Sequence, residues 1–275
     1  MDLACHSLYP HQVAGVQFLA QRGRAILADD MGLGKTRQAI VAANEAAPSG
    51  VVLVICPASL KLNWEREIRM VDAAAAVEVI GVPGHEAAQA RWVFVNDDML
   101  ARHGDRLRAI PWAGVVIDEA HFIKNASQRT SQVLKLIGVA DSKRDAPTGP
   151  RLVFLLSGTP MPNRPRDLFN LLRAVGHPSA RSFLSFARQY RGAYHNDYGW
   201  VTDGASNFPR LNLLLKEVML RRKKVDVLDL PPKIRSWVPV RRSGLLARPG
   251  GLSGSSCGQP RSRPVTPTAR PTGLP

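Results

Sequence analysis

The sequence predicts an α/β fold: a mainly parallel sheet with helices on both faces, followed by a helical C-terminal extension and an unstructured tail. Three observations carry this. The apolar runs at 51–55, 115–117 and 152–156 are continuous rather than alternating, as in strands buried on both faces. Segments of helical period separate them, the alternation that produces a parallel sheet. Polar clusters follow three strands directly, at 29–36, at Asp118 and at Ser157. In such sheets ligands bind at the carboxyl ends of the strands, so the three clusters share one rim.

Taken in order, residues 11–21 place Val13, Val16, Phe18 and Leu19 at helical spacing, and a short strand follows at 24–28. A helix runs from about Thr36 to Ala47 and stops at Pro48-Ser49-Gly50. After the strand 51–55 comes a helix at 60–70 carrying Leu60, Trp64 and Ile68. Strands are expected at 77–80 and 92–95, a helix at 97–108, a strand at 115–117 and a helix at 127–138. Residues 141–150 are polar and contain Pro and Gly, hence a loop. The strand 152–156 is followed by helices at 166–175, 181–191 and 209–221. Trp92, Trp112, Phe154 and Phe169 are expected in the core. The domain division is 1–176 for the sheet-bearing lobe, 177–240 for the helical extension and 241–275 for the tail.

The tail has six Pro, six Gly and six Arg, with no Asp, Glu, Lys or aromatic residue. Such a segment buries too little apolar surface to offset chain entropy and is expected to be disordered. It supplies six of the fifteen net positive charges, so the remainder carries nine. A basic balance of that size favours a polyanionic partner, though a basic surface kept for solubility fits composition equally. Cys5, Cys56 and Cys257 form no C-x-x-C pair, which argues against a disulfide framework or a zinc knuckle. His85, His103, His177 and His195 lack metal-ligand spacing. The first twenty residues have no secretory pattern, and no apolar run approaches the ~20 residues that span a bilayer. The expectation is a soluble intracellular protein without membrane or lipid partner.

The stretch Leu27 to Thr36 reads as a phosphate-binding loop between strand and helix. Gly32 and Gly34 permit a tight bend that turns backbone N–H groups inward, and the helix N-terminus adds partial positive charge. Lys35 reaches β- and γ-phosphates, and the Thr36 hydroxyl is a Mg²⁺ ligand. Position 29 departs from G-x-x-x-x-G-K-[ST], since Asp29 stands where glycine is usual. Asp118-Glu119 at a buried strand end suits Mg²⁺ held by Asp118 and a water oriented by Glu119; the same pair also suits plain helix capping. Ser157-Gly158-Thr159 is placed to report nucleotide state, or is a simple strand-to-turn transition.

Together these motifs resemble the first RecA-like lobe of a Swi/Snf (sucrose non-fermenting) family ATPase, in helicase superfamily two. Leu8 to Val16 resembles the Q-type motif, Ala28 to Thr36 motif I, and Cys56 to Glu67 motif Ia. Asp118-Glu119-Ala120-His121 with Lys124-Asn125 resembles motif II; Ser157 to Pro160 with Asn163 and Asp167-Leu168 resembles motif III. Met219 to Lys224 and Leu230 to Lys233 resemble the segment leading toward a second lobe. The wording of motifs Ia and III is nearest the annealing-helicase and fork-remodeller branch.

The resemblance implies ATP and Mg²⁺ as cofactors. It implies an ATP site of Gln12, Asp29, Met31, Gly32, Leu33, Gly34, Lys35 and Thr36, with Gln12 reading adenine. It explains Asp29, because an acid replaces the first Walker glycine in this family. Lys35 and Glu119 become the catalytic pair, Thr36 and Asp118 the Mg²⁺ ligands, and Ser157, Gly158 and Thr159 the coupling residues. Lys61 and Asn96 become candidates for the phosphate backbone of double-stranded or branched DNA, although Asp97 replaces an aromatic beside the latter. Arg221 to Lys224 either binds phosphate, braces two lobes, or is a solvated charge run. The compartment implied is the cytosol or nucleoid, or the nucleus in a eukaryote. The family's second lobe is not expected in the 35 residues after 240, so very slow hydrolysis is expected of this chain. The tail is either a frameshifted reading of a GC-rich gene or a basic arm. A nucleotide-binding module without motor activity and an RNA helicase with an Asp-Glu-Ala-His box are the alternatives. Ser-Gly-Thr, where RNA helicases usually carry Ser-Ala-Thr, counts against the second.

Overall fold

The computed structural model describes residues 8–87, 89–139, 149–158, 165–192, 194–196, 199–201 and 206–229. They belong to one compact unit, Met1–Leu230; the second unit, Pro231–Pro275, holds the expected tail and lies outside the described residues. The expected loop at 141–150 lies mostly outside them as well.

Helix α1 (Pro10–Arg22) leads into β1 (Arg24–Leu27), then α2 (Lys35–Ala46), β2 (Val51–Ile55) and α3 (Lys61–Val71). Next come β3 (Val77–Val79), β4 (Trp92–Val95), α4 (Gly104–Ala109), β5 (Trp112–Ile117), α5 (Gln128–Leu136) and β6 (Leu152–Leu156). Helices α6 (Arg166–Ala174) and α7 (Phe183–Tyr190) precede a hairpin of β7 (Tyr194–Asn196) and β8 (Gly199–Val201). The described part ends with α8 (Phe208–Val218), β9 (Met219–Leu220) and α9 (Lys224–Val227).

Seven strands form one parallel sheet in the order β3-β4-β2-β5-β6-β1-β9. Successive residues of its central strands point to opposite faces, as the pleat requires. Ile26, Leu53, Ile55, Val115, Ile117, Val153 and Leu155 join one core, packed with Val133, Leu168 and Phe186 from α5, α6 and α7. Leu27, Val52, Val54, Val116 and Phe154 join the other, packed with Leu19, Ile40 and Trp64 from α1, α2 and α3. Both faces are dry, which is why the strands read as unbroken apolar runs.

Three expectations on secondary structure need correction. The helix expected at 97–108 is a short 3-10 turn, Asp97–Met99, and then α4. Asp97 and Asp98 both pair with Arg129, and Leu100 is buried, so tertiary contacts hold that segment out of helical register. The helix expected to reach 221 stops at Val218, because Met219 and Leu220 pair with Ile26 and Leu27 along the open edge of β1. The β7–β8 hairpin, with Tyr194 opposite Val201, falls within 177–240, expected to be a helical extension. Among the described residues no helix is long and apolar enough to cross a membrane.

Candidate functional site

The loop between β1 and α2 is shaped as its glycines require. Gly32 and Gly34 have φ of 84° and 73°, a left-handed conformation that glycine adopts without steric cost. A Cβ on Gly34 would lie 2.1 Å from Gln12 Nε2, so glycine there lets Gln12 pack on the loop. Gln12 Oε1 accepts from the Tyr9 amide at 3.0 Å, and its Nε2 donates to the Leu33 carbonyl at 3.4 Å. Lys35 Nζ donates to the carbonyls of Asp29 (2.8 Å) and Asp30 (3.3 Å), which holds the ammonium inside the loop. Burial lowers the Lys35 pKa, and the charges of Glu119, Asp29, Asp118 and Asp30 oppose that shift. Of these four acids, Asp29 is also paired with Arg222.

Asp118 follows β5, and its amide donates to the Ile55 carbonyl at 2.8 Å. The carboxylate is nearly buried. Oδ1 accepts from the Glu119 amide at 2.9 Å, and Oδ2 accepts from the Trp64 indole N–H at 2.8 Å. Burial raises the Asp118 pKa; these two donors and Lys35 pull the other way, while Glu119 adds to the rise. Both oxygens are thus oriented yet keep lone pairs for a hard cation. Glu119 has φ 46° and ψ 46°, and its Oε2 lies 3.1 Å from His121 Nδ1. Ser157 is buried after β6, with its amide donating to the Leu27 carbonyl at 3.1 Å. A Cβ on Gly158 would lie 2.9 Å from Met31 Cγ and 3.8 Å from Lys35 Nζ. The three clusters therefore meet on one rim. Thr159 lies outside the described residues.

A Mg²⁺ ion fits the donors present. The Thr36 hydroxyl and one Asp118 carboxylate are hard oxygen ligands of the kind Mg²⁺ uses, with water and phosphate oxygens completing its shell. Among the described residues no cluster of three or more His, Cys, Asp or Glu could hold a metal by itself.

The two DNA candidates, Lys61 and Asn96, are both buried. Lys61 is 4% exposed and its Nζ donates to the Ile80 carbonyl at 2.7 Å, so it ties α3 to the end of β3 rather than facing a phosphate. Asn96 is buried where β4 ends. Arg221 to Lys224 is not a uniform solvated face either: Arg222 forms an ion pair with Asp29 at 2.5 Å, its side chain 14% exposed and that of Asp29 wholly buried. Gln38 and Trp64 escaped sequence reasoning, and Arg222 was read only as part of the charge run 221–224, without its partner Asp29. A signal existed for each. Asp29 in a glycine position demands a cation, Gln38 is a polar residue on an apolar helix face, and a buried Trp N–H needs an acceptor.

A strand–glycine loop–helix unit beside an Asp-Glu pair, on the rim of a parallel sheet covered on both faces, defines the fold as a RecA-like lobe. The chain belongs to the SNF2-related domain family, whose profile matches residues 11–244. It is 40% identical over 238 residues to the bovine (Bos taurus) SWI/SNF-related matrix-associated actin-dependent regulator of chromatin subfamily A-like protein 1, covering 84% of this chain and 24% of that protein. It is 33% identical to the bovine DNA annealing helicase and endonuclease ZRANB3, covering 84% of this chain and 22% of that one. A solved Sulfolobus solfataricus SWI2/SNF2 ATPase core in complex with dsDNA superposes with a TM-score of 0.64 at 26% identity, covering 79% of this chain and 44% of that chain. The chain thus spans about a quarter of the length of these curated relatives.

Proposed function

We propose that this chain is the N-terminal, ATP-binding lobe of an ATP-driven motor that translocates on double-stranded DNA, branched DNA included, and works where chromosomal DNA is kept. The carrying observation is the convergence of Lys35, after β1, with Asp118 and Glu119, after β5, across the intervening end of β6. Gln12 and the loop Asp29 to Thr36 bind the nucleotide. Lys35 takes β- and γ-phosphate oxygens, and Thr36 and Asp118 hold Mg²⁺, which neutralises phosphate charge when bound. Glu119 orients the attacking water and accepts its proton. Ser157 and Gly158, the latter against Met31 and Lys35, sense the γ-phosphate and pass its loss to the rest of the rim. The DNA reading draws on the named relatives and on the excess of positive charge; among the described residues Lys61 does not support it.

Titration of a fluorescent ATP analogue tests the nucleotide reading. Lys35→Ala is expected to weaken binding at least tenfold, and Asp118→Asn to remove the magnesium dependence. Equal binding by parent and Lys35→Ala overturns the proposal. Assayed alone, the chain is expected to turn over far below the ordinary ~1–10³ s⁻¹ range. An arginine finger from a second lobe contributes roughly 10³–10⁵ in rate. A longer chain carrying that lobe should respond to duplex DNA; stimulation by RNA alone would favour an RNA helicase, and by neither, a nucleotide-binding module.

A further inference from the structure

The acid that replaces the first glycine of the phosphate loop has its partner 193 residues later. Arg222 Nε donates to Asp29 Oδ1 at 3.0 Å and Nη2 to Oδ2 at 2.5 Å, a forked pairing that only a planar guanidinium makes. Lys35 is not its hydrogen-bond partner, since Lys35 Nζ donates to the loop carbonyls of Asp29 and Asp30. Arg222 also donates to the carbonyl of His11, one residue before Gln12, and to Gln38 Oε1 at 2.9 Å. Gln38 in turn donates to the carbonyl of Leu33 at 3.0 Å. One side chain therefore touches the Gln12 turn, the start of the phosphate loop and, through Gln38, its far end.

The backbone around Arg222 grips the same loop. Leu220 accepts from the Ala28 amide at 2.7 Å and Arg222 from the Asp30 amide at 3.0 Å. The Lys224 amide donates to Asp30 Oδ2 at 3.0 Å. A Cβ on Gly32 would lie 2.8 Å from Lys224 Nζ, so that ammonium rests on the loop.

We propose that Arg222 is a positioning residue of the nucleotide site: through Asp29 it holds the phosphate loop and the Gln12 turn in one arrangement and makes the segment from Met219 to Lys224 part of that site. This rests on the nucleotide reading above. Since energetic coupling is reciprocal, a bound nucleotide must in turn steady that segment.

Fluorescent ATP and GTP analogues are titrated into the parent, Lys35→Ala, Arg222→Lys and the pair Asp29→Asn/Arg222→Gln. The pair is included because a single truncation strands a buried carboxylate and risks unfolding. Both Arg222 variants are expected to fold, by circular dichroism, yet to bind ATP at least tenfold more weakly and to lose part of the preference over GTP. Amide exchange at 219–224 should slow on adding ATP to the parent and change less in Arg222→Lys. Parental affinity and base preference in both folded variants, or exchange in the parent that ATP leaves untouched, overturns the inference. Failure of the parent to bind any better than Lys35→Ala overturns the nucleotide reading instead.

Discussion

Glu119 is held at φ 46°, a left-handed conformation that disfavours residues with a Cβ and carries a cost of about 1–2 kcal/mol. The strain aims its carboxylate along the rim beside Asp118 and His121. Asn tolerates this conformation better than Glu. Glu119→Asn is therefore expected to raise stability by up to about 1 kcal/mol in a denaturant titration while abolishing hydrolysis and sparing nucleotide affinity. A drop in stability would mean that the His121 contact outweighs the strain. Lys61 offers a test by pH. Burial lowers its pKa from 10.5. A base with a depressed folded pKa binds its proton less readily folded than unfolded, so stability rises with pH between the folded value and 10.5. The stability of the parent minus that of Lys61→Met should accordingly climb as pH is raised from 8 toward 10.5. A flat difference would show the ammonium to be solvated.

At the scale of elements, α1 and α2 cross so closely that a Cβ on Gly15 would fall 1.7 Å from Gln38 Oε1 and 2.9 Å from Arg222 Nη2. Gly15→Ala gains about 1 kcal/mol in helix propensity but overpacks this crossing, at about 1–3 kcal/mol. The net loss should appear as a lower thermal midpoint, and Gln38→Ala should suppress it, since the clash is with that carboxamide. Independent, additive effects would show that the crossing relaxes elsewhere. The same crossing marks where the sequence stopped being legible. Strands 51–55 and 152–156 and the Gly32–Thr36 loop announced themselves because burial on two faces and phosphate geometry leave local marks. Asp118 and Glu119 were legible as candidates because two acids directly follow a buried apolar run. The pairing of β9 with β1, and of Arg222 with Asp29, joins residues nearly two hundred positions apart. No local period encodes such a contact. The contact of Lys61 with the Ile80 carbonyl was equally illegible, since it depends on the approach of the chain after β3 to α3.

For the whole molecule the deciding quantity is where the positive charge lies. Of the fifteen net charges, six belong to arginines after residue 240 and nine to the rest. The proposed nucleotide site lies on the rim between β1 and β5, so a chain ending at residue 240 should bind the ATP analogue within about twofold of the parent. Duplex affinity should behave differently. Each phosphate neutralised contributes about 0.9 to the slope of log affinity against log salt. Loss of six arginines should therefore lower the magnitude of that slope by up to about 5, with the largest difference in affinity at low salt. Titrating a labelled duplex at several salt concentrations measures both. A slope unchanged by the truncation would assign every phosphate contact to residues before 241. The excess of nine charges would then be the DNA-facing charge, and the arginines of the tail would carry none of the affinity.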